Sequence, residues 1–234
     1  MASRINFAKI LSKYKAVGKA NVRLTPSTLF LTKPIINTQA AYRFDVLESE
    51  TSTLQPDEIR LNINDEFIVT HIGAYLVAKT EFKASTEGAV FVPAPAIKLF
   101  TYAALENFYG NLSVQNFYAG KLQIAVNNVV YLDKWDTRKH EFVPRTQYDN
   151  QLAGTAEAAQ ASINFSKDAM IAIEPMLTLS GAKKNAITLE LPTNIDNGEV
   201  VYINQDGSTI KHVIDRVGVM LRGLNAQNAA SFQR

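Results

Sequence analysis

The sequence predicts a mainly β protein: an antiparallel β-sandwich or jelly roll with an N-terminal amphipathic helix and one short inserted helix. Three observations carry this. About nine or ten short segments are rich in β-branched and aromatic residues, and several alternate apolar and polar side chains with a period of two. Turn signals separate these segments roughly every 8–15 residues, the spacing of antiparallel sheets. Helical stretches do not alternate with the strands, as βαβ units would require. A chain of 234 residues suits one such domain, and 47% hydrophobic with 20% charged residues is the composition of a soluble globular protein.

Residues 4–17 open the chain as an amphipathic helix. Phe7, Ile10, Leu11, Tyr14 and Val17 fall on one face of a 3.6-residue period, Lys9 and Lys13 lie opposite, Ser3 can cap the start and Gly18 can end it. Such a helix can lie on a lipid surface, pack on a neighbouring subunit or cover the end of its own sheet. Strands follow at Val22–Ile35, Tyr42–Leu47, Ile59–Asn64 and Phe67–Val77, with a polar loop at Glu48–Pro56. Pro93 and Pro95 then end a strand, and the Ala- and Leu-containing run Ile97–Phe108 predicts a helix of about three turns within 96–110. Seven of the 22 aromatic residues fall between Phe91 and Tyr118. Phe100, Tyr102, Phe108, Tyr109, Phe117 and Tyr118 among them form either a satellite core or a surface for subunit contacts.

Asn127-Asn128 joins 121–126 to 129–135 as a tight hairpin, because Asn tolerates positive φ. Residues 145–164 are Ala-, Gln- and Thr-rich and read as a long loop. Strands resume at Met170–Leu179 and Ala186–Leu191. Asp206-Gly207 joins the strands Glu199–Asn204 and Thr209–Ile214 with a type I′ signature. Val217–Leu221 is the last strand before a polar tail. The organisation is thus an arm (1–20), one β-rich domain (21–224) and a tail (225–234).

Charge is distributed unevenly. Residues 1–44 hold eight basic side chains and no acidic one, whereas the rest of the chain holds 16 basic against 22 acidic. Arg4, Lys9, Lys13, Lys15, Lys19 and Arg23 make the arm a candidate contact for nucleic acid or lipid headgroups. The alternative is a solvated leader.

No residue pattern points to a reaction. Cysteine is absent, which excludes disulfides, thiolate nucleophiles and Cys-ligated metals. Phosphate-loop, zinc-helix and nucleophile-elbow motifs are also missing. Asp133, Asp136, His140 and Glu141 are close enough in sequence to share a cation, but Lys134, Arg138 and Lys139 lie among them, so a salt-bridged loop is the expectation. Asn194–Glu199 carries alternating oxygens but lacks calcium-loop spacing and reads as a turn. The expectation is a protein with no enzymatic site, cofactor or metal.

The order of basic helix, β-rich body, Ala/Gln/Thr-rich loop and polar tail resembles the small jelly-roll coat proteins of bacterial viruses. The stretches VGVMLRGLNAQNAASFQR and IEPMLTLSGAKKNAITLELPTN share in that resemblance. It implies a self-assembling capsid subunit whose partners are copies of itself and other virion proteins, assembled in a host cytoplasm, and it transfers no functional residue. Two other readings stand beside it. One is a different virion part, such as a tail, connector or spike. The other is a ligand- or carbohydrate-binding β-sandwich, for which Trp135 and Tyr131 would supply a thin stacking platform.

Overall fold

A computed structural model describes residues 7–17, 21–48, 57–101, 108–110, 112–141, 169–203 and 206–230. It is mainly β: 11 strands form antiparallel sheets, with one α-helix among the described residues. The helix α1 spans Phe7–Ala16. The strands are β1 (Arg23–Pro34), β2 (Ala41–Phe44), β3 (Glu66–Lys83), β4 (Val92–Phe100), β5 (Phe108–Gly110), β6 (Lys121–Val126), β7 (Val129–Asp136), β8 (Ile171–Ser180), β9 (Asn185–Glu190), β10 (Gly198–Ile203) and β11 (Thr209–Gln227). Two 3-10 turns, Leu112–Ala119 and Thr137–His140, flank β6 and β7.

The larger sheet has seven strands built on a spine of β3 and β11, which pair from Lys83↔Thr209 to Glu66↔Ala226. Each spine strand is long enough to take two neighbours on its free side. β1 and β10 share the far edge of β11, β4 and β8 share that of β3, and β5 extends β10. A bulge at Arg222/Gly223 bends the spine. Glycine is required there, because a Cβ on Gly223 would lie 1.9 Å from the Ile68 carbonyl oxygen. The second sheet has four strands in the order β2-β9-β6-β7.

Both sheets contribute to one core. Leu29, Leu31, Phe67, Val69, Leu76, Val219 and Leu221 from the spine side meet Tyr42, Phe44, Leu122, Ile124, Ile187 and Leu189 from the smaller sheet. Alternation along each strand supplies this inward face. The outer face of the larger sheet is also covered. Phe30, Tyr75, Val77, Leu99 and Ala169 form one cluster there, and α1 covers Ile68 and Leu224 with Ile10 and Tyr14.

Each described edge strand is short, bulged or carries proline. Pro26 and Pro34 lie in β1, Pro93 and Pro95 in β4, and Pro175 in β8 near a register shift at Val69/His71. The β7 edge has two register shifts and a left-handed Lys134 (φ 48°), while β2 has four residues and β5 three. Such features block strand addition by a second chain.

Several sequence expectations are corrected. Ile97–Phe100 is the end of β4 and not part of a helix: Ile97, Leu99 and Phe100 pair with Lys79, Val77 and Leu76, and Leu99 and Phe100 are buried on opposite faces. Non-local pairing overrides the helical preference of this segment, and residues 102–107 lie outside the described ones. Pro93 and Pro95 sit inside β4 rather than ending a strand, as an edge position allows. The last strand and the beginning of the expected tail are one element, since β11 runs to Gln227 and Ala229 and Ala230 are buried beyond it. Residues 49–56 of the expected loop Glu48–Pro56, and all of the expected loop 145–164, lie outside the described residues.

Candidate functional site

Three groups of polar residues in the body are candidates for chemistry. The most site-like is a buried set of charges where β1, the segment Asp57–Leu61 and β11 meet. Glu58 Oε1 accepts from the Thr32 N–H (2.8 Å) and hydroxyl (3.1 Å), and Oε2 accepts from Arg60 Nη2 at 2.8 Å. The Glu58 and Arg60 side chains are each 2% exposed. Arg216 Nη1 contacts both oxygens of Asp57 at 2.8 and 3.1 Å, and Lys33 pairs with Asp45, which also lies 3.9 Å from Arg60. Isolated bridges Phe30↔Ile59 and Leu47↔Leu61 bring these residues together. Each of the three carboxylates faces a cation, so the set works as an ionic clamp and holds no free acid or base poised for catalysis.

The second group lies in the sequence DKWDTRKHE. Asp136 caps the 3-10 turn by accepting from the Arg138 N–H at 3.0 Å, and its carboxylate also takes two guanidinium donors from Arg138. These bonds hold Asp136 below the usual carboxylate range. Asp133 accepts from Gln123, and Lys139 lies 4.1 Å from the centre of the Trp135 ring. His140 is fully buried, with Trp135 Nε1 at 2.8 Å from its Nε2 and the Ala169 carbonyl oxygen 2.9 Å from its Nδ1. Of the four residues singled out as a cation set, Asp133, Asp136 and His140 are therefore engaged separately and Glu141 is exposed, and the described residues contain no group of three metal-ligating side chains. Lys139 covers one face of the Trp135 ring, the indole N–H is bonded to His140, and the half-buried side chain packs against the core. His71 and His212 are held by Thr70 (2.9 Å) and Thr80 (3.0 Å). Burial first, then the charge of Arg222, lowers the His71 pKa.

The third group is the arm. Ile10 is 7% exposed and Tyr14 donates to Glu66 Oε2 at 3.0 Å, so the middle of the apolar face of α1 is spent on the sheet beneath it. Burial, reinforced by the Glu66 carboxylate, holds the Tyr14 phenol well above its ordinary range. Of the three arrangements open to such a helix, the structure shows the one in which it covers its own sheet. Val17, assigned to the apolar face, is 69% exposed. Lys9, Lys13 and Lys15 are exposed on the helix and Arg23 at the start of β1, while Arg4 and Lys19 lie outside the described residues.

The aromatic segment is divided. Phe100, Phe117 and Tyr118 are buried in the core, and the Tyr118 hydroxyl donates to the Phe100 carbonyl at 2.7 Å. Phe108 and Tyr109 lie in β5, and Tyr102 is outside the described residues. Sequence reasoning missed the exposed apolar residues elsewhere. Phe82 and Val92 pair across β3 and β4, with Val90 and Phe91 beside them, and Ile203 (74% exposed) ends β10 at the same end of the sheet. Their signal was large apolar residues next to the Gly88 and Gly207 turns. No family model, curated protein or solved structure matches this chain.

Proposed function

We propose that this protein is a structural subunit of a virus particle: a self-assembling coat protein whose two-sheet body is a jelly-roll-like sandwich. The observation that carries this reading is a division of the surface. Edges that would invite open-ended strand pairing are guarded, while Phe82, Val90, Phe91, Val92 and Ile203 stand exposed at one end of the larger sheet. A subunit that must join copies of itself in a closed, defined arrangement needs contacts of this kind, made by faces and hairpin tips. The pairing of Glu58 with Arg60, of Asp57 with Arg216 and of Asp136 with Arg138 suits a structural role. The exposed lysines of α1 supply a positive surface for an anionic partner. The carbohydrate-binding alternative is disfavoured by the Trp135 ring, covered on one face and packed against the core, and another virion part would share the same supporting features.

The test is light scattering on a size-exclusion column at low and high salt, with negative-stain imaging of any large fraction. Discrete large particles or regular oligomers are the expected result, reduced when Phe91 and Ile203 are replaced by Ser. A monomer of 25.9 kDa under all conditions overturns the proposal.

A further inference from the structure

One imidazole joins the smaller sheet to the larger. Trp135 is the next-to-last residue of β7 in the four-stranded sheet, and Ala169 leads into β8 of the seven-stranded one. His140 lies between them, within hydrogen-bond distance of both. The Ala169 carbonyl can only accept and the indole N–H can only donate, so Nδ1 carries the proton and Nε2 is the bare acceptor. The neighbouring Thr137 is buried as well, donating its hydroxyl towards the Phe117 and Gly120 carbonyls at 2.8 and 3.0 Å. This turn is therefore pinned on three sides, and only the neutral form of His140 fits. A proton added to Nε2 would set a donor against the Trp135 N–H, inside a site with no water-exposed surface.

We propose that His140 is an acid-sensitive latch between the two sheets, closed while the imidazole is neutral and released when it is protonated. The charges around it favour the neutral form. Burial is the largest cause lowering its pKa, Lys139 lowers it further, and only the Ala169 carbonyl acts in the other direction. Arg138 on the same turn is paired with Asp136, and Glu141 follows exposed to solvent. From the packed elements, Tyr118 on the 3-10 turn and Tyr75 on β3 are both kept protonated by burial. No described carboxylate is hydrogen-bonded to either ring nitrogen to hold a second proton there.

The pH window follows from the direction of the shift. The released imidazole binds a proton more readily than the latched one, so the latch is fully effective above the ordinary histidine value of about 6.5. It weakens as pH falls from there towards the lower folded-state value, the ratio of released to latched protein rising about tenfold per pH unit over that interval.

Trp135 is the only tryptophan, so intrinsic fluorescence reads the joint directly. The experiment titrates the full-length protein from neutral to mildly acidic pH by tryptophan emission and far-ultraviolet circular dichroism. His140→Asn, whose amide can still donate to the Ala169 carbonyl, is titrated in parallel. Expected is a reversible emission change in the wild type, with a midpoint below about 6.5, at unchanged dichroism and absent from His140→Asn. A wild-type emission that changes only when the whole chain unfolds, or the same transition in His140→Asn, overturns the proposal. Imidazole nitrogen-15 spectra of the wild type keep the test decisive if the variant does not fold. One histidine must be protonated at Nδ1 alone near neutral pH and titrate with the same midpoint as the emission; protonation at Nε2 in all three histidines overturns the latch.

Discussion

Replacing Glu58 by Ala removes the centre of the ionic clamp and leaves its partners in place. The Arg60 guanidinium keeps its buried position, 2% exposed, without the carboxylate oxygen 2.8 Å away, and the Thr32 N–H and hydroxyl lose their acceptor. Breaking a buried pair by deleting one partner costs about 3–5 kcal/mol, because the remaining charge is stranded away from water. Asp45, 3.9 Å from Arg60, offsets a part of this and places the expected loss near the lower bound, about 3 kcal/mol. For a chain of this size that corresponds to a melting temperature lower by about 6–12 °C. Urea titration followed by circular dichroism measures the loss directly, with the slope unchanged if both states keep their compactness. Glu58→Gln keeps an acceptor for Thr32 and should cost less than Ala, which separates the charge from the hydrogen bonds. Removing both charges with Glu58→Met and Arg60→Met should recover most of the loss. A single-variant loss below about 1 kcal/mol would place this cluster with surface ion pairs and refute the assignment of a buried clamp.

Two further perturbations probe other parts of the fold. Ile10→Ala withdraws the main apolar contact of α1 with Ile68 and Leu224 and should cost about 2 kcal/mol, the low end for a core truncation, since the site is at the periphery; deletion of residues 1–20 should lower the melting temperature and impair assembly while the body still folds, and an unfolded truncation by circular dichroism would show that the arm is integral. Gly223→Ala should cost about 3 kcal/mol or more, because the added carbon meets the Ile68 carbonyl, whereas Gly218→Ala meets the Val77 side chain at 2.8 Å and should cost less; equal thermal melts for the two would contradict the close approach at the bulge.

What could be read from the sequence was local in origin. The hairpin at Asn127-Asn128 depends on two residues that accept left-handed conformations, and both adopt them (φ 49° and 64°). The turn at Asp206-Gly207 joins the expected strands, though only Gly207 of the pair has positive φ (81°), and Asp206 instead accepts from the Ser208 N–H. The helix α1 was visible in its period. The strand β4 was not, because Ala, Pro and Leu carry little strand preference and the pairing with β3 decides their conformation. The ionic clamp draws on residues 32–33, 45, 57–60 and 216, and no spacing rule links them. Its one local trace is the charged pair Asp215-Arg216, which interrupts the apolar run Val213–Val219 at a buried position. His140 was singled out for its carboxylate neighbours, but its partners are an indole and a backbone carbonyl.

The spine of β3 and β11 also sets a schedule for synthesis. Thr80 and His212, in contact across it, are 132 residues apart, and Asn225 and Asp65 at its other end are 160 apart. At about 5–20 residues per second, β3 leaves the ribosome roughly 7–30 s before its partner exists. During that interval the side of β3 that β11 will cover has no ladder to join, although β4 and β8 can pair along its other side, and β1 waits for β11 as well. A nascent chain of this protein therefore presents apolar, strand-forming surface along one side of β3 until β11 is made, and a chain stopped before Thr209 has no central ladder to fold on. Only chains that include β11 can form the spine, so the architecture rejects chains terminated before that strand without a separate checkpoint.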